Sequence, residues 1–261
     1  MSNVRTRLFA ILWLAGMSGV LSLLLIDIPA LMASLPATAR SELPLPLPLI
    51  KLLSIIQPTV LLSIATFIGL QLAPKVGLSA PAAEALARGD SFVSALKPQI
   101  LPGLIFGFVA GIVLLSSWVL LRPSLPHVFV TRAEEFNTLV PFLTRLLYGG
   151  ITEELLLRWG VLTLLVWALW RMFQQGRGKP RAINFVAATL ISSVIFGIGH
   201  LPIVRALEVD FTLPIVAFIV SANAVFGLIA GYLYWRKGLE SAIIAHMTAH
   251  VVLVTAIQLA M

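Results

Sequence analysis

The sequence contains no cysteine and few charged residues, and both absences narrow the functions open to it. Among 261 residues there is no Cys, and Asp, Glu, Lys and Arg together make up 11%, whereas about a quarter of an average globular domain is charged. Without thiols the chain can form neither disulfides nor iron–sulfur clusters, and it has no cysteine nucleophile. The sequence also lacks H-E-x-x-H, G-x-S-x-G and P-loop motifs, so a zincin, a serine hydrolase of that type and a nucleotide-driven pump are not supported.

What the chain has in excess is apolar residues, at a level typical of an integral membrane protein. Hydrophobic residues make up 59% of it, and the mean hydropathy is +1.00. One compact soluble core of this size could not enclose so much apolar surface. The net charge of +7 fits cytoplasmic loops in contact with anionic lipid rather than a nucleic-acid partner. The sequence therefore predicts an all-α, polytopic helix bundle in the lipid bilayer.

Seven apolar segments are long enough to cross a bilayer, which requires about 20 residues per helix. They are Leu8–Met32, Leu47–Leu72, Ile100–Leu121, Leu139–Phe173, Ile183–Gly199, Leu213–Trp235 and Leu239–Ala260. The fourth is too long for one straight crossing, so we expect it to be tilted, kinked or split at Gly149-Gly150 or Trp159-Gly160. A split would raise the number of spans to eight. The residues from Pro74 to Pro98 are expected to form a loop or a short surface helix.

Basic residues orient these spans. Two short loops are rich in them: Arg171, Arg177, Lys179 and Arg181 in one, and Arg236 and Lys237 in the other. Such loops are cytoplasmic in most membrane proteins, and seven alternating crossings then place the N-terminus in the cytoplasm and the C-terminus outside. We divide the chain into N-terminal membrane helices without a recognised motif (1–135) and a helix bundle with the candidate catalytic residues (136–261), which together form one integrated membrane domain.

The fourth segment carries ionisable residues at membrane depth, where an unpaired charge costs on the order of 3 kcal/mol. Each α-helical residue advances about 100° around the axis, so Glu154 and Arg158 lie about 40° apart and are predicted to form an ion pair. Glu153 points about 140° away from Arg158 and cannot share this partner. It is either a protonated, hydrogen-bonded core residue or a general base, and the nearby histidines favour the base.

Three histidines accompany Glu153 in the later segments. His200 closes the fifth segment, and His246 and His250 lie four residues apart on one helix face of the seventh. Two hydrolytic chemistries remain open. Glu153 and an imidazole could deprotonate a water while another imidazole donates to the oxyanion. Alternatively, the three histidines could bind Zn²⁺, with Glu153 as fourth ligand or as base.

Three other charged residues and two other functions are compatible with a chain of this composition. Asp27, Lys51 and Arg145 lie at or near membrane depth and are predicted to be interface anchors or partnered structural charges, and His127 is assigned no role. A small proton-coupled transporter would use buried Glu and His as a relay, but no internal repeat is evident. A non-catalytic scaffold or immunity-like protein is the third alternative.

The order of these residues resembles the CPBP intramembrane proteases, a family that includes the CAAX prenyl protease 2 enzymes and bacteriocin-processing or Abi-like self-immunity proteins. The matching elements are Glu153-Glu154-x-x-x-Arg158, Phe196-x-x-x-His200 and His246-x-x-x-His250, with the stretch Phe226 to Glu240 leading into His246. The resemblance covers residues 139 to 254. It implies an intramembrane endopeptidase, metallo or glutamic, in the cytoplasmic membrane of a bacterium.

The resemblance also implies roles for individual residues. Glu153 and His200 would activate the attacking water, and His246 with the residue four positions later would stabilise the oxyanion. Three residues would support the site: Glu154, Arg158 and Phe196. His250 stands where the family usually has Asn or Asp, so its protonation would affect the rate and Zn²⁺ binding becomes more plausible. The substrate would be a membrane-associated peptide or protein.

Overall fold

The structure is a computed structural model that describes residues 2–34 and 45–260. Every regular element in these two ranges is a helix, and neither range contains a β-strand. The α-helices are α1 Ser2–Ser22, α2 Ile28–Ser34, α3 Leu47–Val76, α4 Pro81–Arg88, α5 Phe92–Leu121, α6 His127–Leu139, α7 Phe142–Thr144, α8 Thr163–Gln174, α9 Ala182–Gly199, α10 Pro202–Ala206, α11 Leu213–Arg236 and α12 Leu239–Ala260. Two π-helical stretches, π1 Arg145–Glu153 and π2 Leu155–Leu162, and two 3-10 turns, Leu23–Leu25 and Arg122–Ser124, are also present.

Seven helices in the described part of the chain are long and apolar enough to cross a membrane. They are Asn3–Leu25, Leu47–Val76, Phe92–Ser124, Phe142–Gln174, Ala182–Ala206, Leu213–Arg236 and Leu239–Leu259. The prediction of an all-α, polytopic helix bundle is confirmed, and the chain is an integral membrane protein. The division of the chain at residue 135 stays a prediction, and that residue lies within α6.

The first span ends earlier than the sequence predicts. The apolar run continues to Met32, but α1 ends at Ser22 and a 3-10 turn follows it. Asp27 then starts a new helix, because its Oδ1 accepts the N–H of Ala30 at 3.0 Å and so satisfies a free donor in the first turn of α2. Met32 therefore belongs to a separate short helix.

The third span begins earlier than the sequence predicts. Its apolar run starts at Ile100, whereas α5 starts at Phe92. The reason is a helix cap, since the Ser91 side chain accepts the N–H of Ser94 at 3.3 Å. The segment 74–98, predicted to be a loop or a short surface helix, contains the short helix α4 but also the end of α3 and the first turns of α5.

The fourth span is one continuous helix, Phe142–Gln174, which we call the long helix. Two stretches of it have the i→i+5 hydrogen bonding of a π-helix, a rare geometry that is frequent at functional sites. The predicted break points lie in these stretches, Gly149 and Gly150 in π1 and Gly160 in π2. Gly160 also allows close packing, because an added Cβ would lie 2.6 Å from that of Ala65. The helix is thus distorted where expected, but it is not split into two crossings.

Both basic loops lie at the same end of the bundle. Phe185, near the start of α9, stacks on Trp235 at the end of α11, with ring centroids 4.8 Å apart. The N–H of Leu239 donates to the Ser79 carbonyl at 3.1 Å, which brings the α3–α4 connection to this end as well. If the spans cross the membrane in alternating directions, the two basic loops must lie at the same end, as they do. The cytoplasmic location of this end stays a prediction.

Glycines at four-residue intervals bring α5 into direct contact with α12. They are Gly103, Gly107 and Gly111. A Cβ added to Gly107 would lie 2.4 Å from the carbonyl oxygen of Ala245, so the two backbones touch. Small residues at this spacing are typical of closely packed membrane helices. This contact fixes the position of α12, which carries two of the candidate histidines.

Replacing Gly197 with Ala is expected to lower the thermal stability of the protein. Gly197 lies where α9 crosses α11, and an added Cβ would lie 2.4 Å from the Val220 carbonyl oxygen. Because the helices would have to move apart, we expect a cost of about 1–3 kcal/mol. The matched control is Gly199→Ala, since a Cβ added there meets no described atom within 4 Å. Equal Tm values for the two variants in detergent would contradict this packing.

Candidate active site

The long helix carries Glu153, Glu154 and Arg158 into the bundle. Glu154 and Arg158 form the predicted ion pair, with Arg158 Nε 3.1 Å from Glu154 Oε2 and side chains that are 1% and 0% exposed. The N–H of Nε does not point at this oxygen, so the contact is an ion pair without a hydrogen bond. The guanidinium carbon lies 4.9 Å from the centre of the Phe196 ring, and this cation–π contact also stabilises the buried charge.

His246 lies between the two glutamates. Its Nδ1 is 2.8 Å from Oε1 of Glu154, and its Nε2 is 4.0 Å from Oε2 of Glu153. The first contact is a hydrogen bond, and the second is longer than one. Arg158, Glu154 and His246 therefore form one chain of contacts. This chain fixes the orientation of the imidazole and directs its Nε2 toward Glu153.

His200 follows the last residue of α9. Its Nδ1 lies 2.9 Å from the carbonyl oxygen of Phe196. Because a carbonyl can only accept, Nδ1 donates the hydrogen, and the neutral imidazole has its lone pair on Nε2. The Phe196 ring stands edge-on to the imidazole, with centroids 4.7 Å apart. His200 is thus held in one orientation with a basic nitrogen available.

The end of α9 brings His200 to the depth of the other candidate residues. The helix ends at Gly199, and Pro202 begins the short helix α10. Val204 on α10 is 0% exposed and packs in a cluster with Phe129 of α6. The chain after α9 therefore packs against protein on one side, where Val204 is buried, while Arg205 on the same short helix is exposed.

His250 lies one turn after His246 on the same face of α12. The two rings stack, with centroids 4.9 Å apart and an interplanar angle of 13°. A Cβ added to Gly149 would lie 2.5 Å from His250 Nε2, so the absence of a side chain at Gly149 makes room for the imidazole. The Nδ1 of His250 is buried and has no hydrogen-bond partner among the described residues.

All four residues predicted to be catalytic line one cavity of about 340 Å³, which we call the histidine chamber: Glu153, His200, His246 and His250. Of the predicted supporting residues, Phe196 also lines this chamber. Glu154 and Arg158 are fully buried and contact its lining residues. The structure thus brings together residues from three helices that the sequence places far apart.

A second cavity, the apolar groove, meets the histidine chamber. It has a volume of about 540 Å³ and lies between α3, the long helix and α9. Five residues line both cavities: Leu23, Tyr148, Glu153, Phe196 and His200. On α3, Leu61 and Ile64 line the groove and are 47% and 52% exposed. Exposed apolar side chains on a membrane helix face lipid, so the groove connects the lipid phase with Glu153.

Comparison with known families identifies the C-terminal part of the chain. Residues 135–252 match the family described as type II CAAX prenyl endopeptidase, Rce1-like. This C-terminal segment is similar to the Rce1-like family, and the match covers less than half of the chain. The match contains every residue predicted for the site and does not extend to α1–α5. No curated protein and no solved structure matches the chain.

The match to the Rce1-like family supports, in general terms, an intramembrane protease of the CAAX type with a peptide or protein as its substrate. Helices outside the Rce1-like segment also shape the cavities. Leu23, just after α1, lines both of them, and Gln57 and Pro58 of α3 line the apolar groove. The N-terminal helices are therefore part of the surroundings of the site.

Sequence reasoning missed several polar residues of the histidine chamber. Asn137, Tyr148 and Asn223 all line it. Asn223 carried a usable signal, because an amide within the apolar run of α11 usually has a partner or a function. Asn137 and Tyr148 carried no such signal, since the sequence does not show which side of a helix faces a cavity.

All three residues predicted to be anchors or structural charges have backbone partners. Asp27 caps α2, and Lys51 Nζ donates to the Leu24 carbonyl oxygen at 2.9 Å. Arg145 donates to the carbonyl oxygens of Val140 and Asn137. It also lines the histidine chamber and forms no ion pair within the described residues. The structural role of Arg145 stays a prediction.

The donor groups of this site do not fit a zinc centre. Within residues 2–34 and 45–260, no group of three or more His, Cys, Asp or Glu side chains is arranged to hold a metal ion. His246 Nδ1 is bonded to Glu154, and His250 Nε2 lies against Gly149. The alternative zinc ligand set is therefore not formed: His200, His246, His250 and Glu153.

Proposed function

We propose that this protein is a glutamic-type endopeptidase that hydrolyses a peptide bond in a membrane-associated peptide or protein. The observation that carries the proposal is the convergence of Glu153, His200 and His246 in one chamber that meets an apolar groove. Burying each of these groups in a membrane helix is costly. A site that gathers them around a cavity is therefore a functional site rather than a packing feature.

Glu153 is the general base in this proposal. Its Oε2 is 4.0 Å from His246 Nε2, beyond hydrogen-bond distance, so the carboxylate is free to take a proton from water. The lone pair on Nε2 of His200 accepts the second hydrogen of the same water and orients it. The water oxygen then attacks the carbonyl carbon of the peptide bond, and a tetrahedral intermediate forms.

His246 and His250 stabilise the oxyanion of this intermediate. Nδ1 of His246 is hydrogen-bonded to Glu154. When this pair carries two protons, one lies in that hydrogen bond and the other is on Nε2. His246 then presents an Nε2–H to the chamber. Nδ1 of His250 has no partner among the described residues and is free to donate to the same oxygen. Imidazole can therefore replace the Asn or Asp usual in the family.

Collapse of the intermediate completes the hydrolysis. The carbon–nitrogen bond breaks, the proton held by Glu153 passes to the leaving amine, and the carbonyl re-forms in the new carboxyl group. One water is consumed, and one new carboxyl end and one new amino end are produced. Glu154 and Arg158 do not contact the substrate; they position His246.

The apolar groove receives the membrane-embedded part of the substrate. It meets the histidine chamber at Glu153 and His200, so an apolar group or segment lying in the groove brings an adjoining peptide bond to the base. Apolar lining with a few polar groups is usual for ligand sites. This arrangement favours a substrate that stays in the bilayer during cleavage.

We place the protein in the cytoplasmic membrane of a bacterium, with the N-terminus in the cytoplasm. The two basic loops at one end of the bundle support this orientation, and the resemblance to bacteriocin-processing proteases supports the bacterial location. The histidine chamber lies toward the opposite end, because it is lined by Leu23, just after α1, and by Asn137 and Val140 at the end of α6.

Replacing His200 with Ala is expected to lower turnover by about 100-fold, because the nitrogen that orients the water is lost. The test is mass spectrometry of the products from an S-farnesylated peptide ending in Cys-Val-Leu-Ser, with the protein in liposomes. His127→Ala is the matched control, since His127 is exposed on α6 and lines neither cavity. Activity should survive exhaustive chelation. Loss on chelation with recovery by zinc would contradict a glutamate-activated water.

A further inference from the structure

A third cavity, which we call the α4 cavity, lies between α1, the end of α3 and α4. It has a volume of about 210 Å³, and its lining residues differ from those of the histidine chamber and the apolar groove. Pockets for drug-sized ligands are usually larger, roughly 300–1,000 Å³. The α4 cavity therefore has room for a small molecule or for one end of a larger one.

The α4 cavity lies at the surface of the membrane. Arg5 is near the start of the first span and Pro74 is near the end of the second, and both line the cavity. Lipid headgroups lie at the level where spans begin and end. Leu8 and Leu70, about one helical turn deeper in the same spans, also line the cavity. Its wall thus changes from charged to apolar in the direction of the bilayer interior.

Opposite charges face each other across this cavity. Arg5 lines it and forms no ion pair in the part of the chain that the structure describes. Glu84 of α4 also lines it, and its Oε1 accepts the N–H of Ala80 at 3.0 Å. Its Oε2 is 3.7 Å from Arg88 Nη1, which is longer than a hydrogen bond, and Arg88 Nε donates to Asp90 at 2.9 Å. One guanidinium and one carboxylate oxygen are therefore open to a ligand.

We propose that the α4 cavity binds the headgroup of a phospholipid that carries a primary ammonium group. The phosphate accepts hydrogen bonds from Arg5, and the ammonium donates to Oε2 of Glu84. A headgroup without an amine would leave the carboxylate of Glu84 next to the phosphate, and a quaternary ammonium has no N–H to donate. The acyl chains lie against Leu8 and Leu70. The site is separate from the proposed peptidase site, so its test does not depend on peptide hydrolysis.

The inner wall of the α4 cavity is Trp159 of π2, which is 1% exposed. Its Nε1 donates to the Thr66 carbonyl oxygen at 3.2 Å, and an added Cβ at Gly69 would overlap its ring. The ring is thus held between α3 and the long helix. A bound headgroup would fill the space beside Trp159 and connect α1 with α4. Because the ligand binds only the folded protein, it should raise Tm.

The test compares three dioleoyl lipids that differ only in the headgroup: phosphatidylethanolamine, phosphatidylcholine and phosphatidylglycerol. Their affinities for lipid-free protein in detergent are measured by native mass spectrometry. The unmodified protein should bind phosphatidylethanolamine at least about tenfold more tightly than the other two, the scale of one charge-assisted hydrogen bond. Glu84→Gln should remove this preference, because the amide can keep the bond to Ala80 but has no negative charge. Arg5→Gln should weaken binding of all three lipids by about tenfold, since all three carry the phosphate.

Arg7→Gln and Glu135→Gln are the matched controls, because both residues are exposed and line none of the three cavities. Both variants should keep the affinity and the preference. Phosphatidylethanolamine should also raise the Tm of the unmodified protein and of the controls more than that of Arg5→Gln or Glu84→Gln.

Four results would overturn the proposal. The first two are equal affinities of the unmodified protein for the three lipids, and no binding of any of them. The third is a Glu84→Gln variant that binds all three lipids more weakly by the same factor, which is the result expected if Glu84 only stabilises α4. The fourth is binding of soluble phosphoethanolamine as tight as that of the lipid, since the ligand would then not have to come from the bilayer.

Discussion

Replacing Glu153 with Gln is expected to lower peptide cleavage by about 100-fold or more, the scale of losing a general base. Gln has nearly the shape of Glu and still lines the histidine chamber, but its amide cannot take a proton from water. The variant should keep its fold, because Glu153 forms no short hydrogen bond or close ion pair within the described residues, and its Oε2 lies 4.0 Å from Nε2 of His246. Turnover of the farnesylated peptide and Tm in detergent should be measured together.

Glu135→Gln is a suitable control, since Glu135 is exposed on α6 and belongs to neither cavity. The control variant should cleave at the rate of the unmodified protein.

A transporter and a non-catalytic scaffold predict other results for Glu153→Gln. A proton relay would lose pH-coupled flux, and a non-catalytic scaffold would lose no measured property. Full cleavage activity of Glu153→Gln would refute the mechanism.

The different environments of the two adjacent glutamates could be predicted because they depend on local helix geometry. A spacing of four residues brings Glu154 to Arg158 and leaves Glu153 on another side, and the structure contains that ion pair. The membrane spans could be predicted for a similar reason, since apolar runs are local. Errors occurred at span ends, where a single capping hydrogen bond, accepted by the side chain of Asp27 or Ser91, sets the boundary.

The bond between Glu154 and His246 could not be predicted from sequence, because it joins residues 92 positions apart. Its existence depends on how α12 packs against α5 and the long helix, and no local pattern contains that information. The position of Arg145 in the histidine chamber could not be predicted for a related reason. Sequence shows that a charge lies at membrane depth, but it shows neither which cavity the side chain lines nor whether an acid lies beside it.

Replacing Arg158 with Met is expected to cause the largest loss of stability among the variants considered, about 3–5 kcal/mol, because it leaves the Glu154 carboxylate buried without its cation. Glu154 is 0% exposed and cannot reach solvent. The double variant Glu154→Gln/Arg158→Met should regain much of this stability, since neither charge remains. Thermal and denaturant unfolding in detergent would measure both effects.

Arg88→Met provides the matched control, because Glu84 and Arg88 on α4 have the same four-residue spacing in a pair whose side chains are 27% and 50% exposed. Exposed pairs contribute at most about 1 kcal/mol, so its Tm should change little. A similar Tm change for Arg88→Met and Arg158→Met, or a double variant no more stable than Arg158→Met, would contradict a structural role for the buried pair.

The activity of the double variant tests a second role of Glu154. The amide introduced by Glu154→Gln can still accept the hydrogen bond from His246 but lacks the negative charge, so a stable double variant with low turnover would show that the carboxylate also tunes the imidazole.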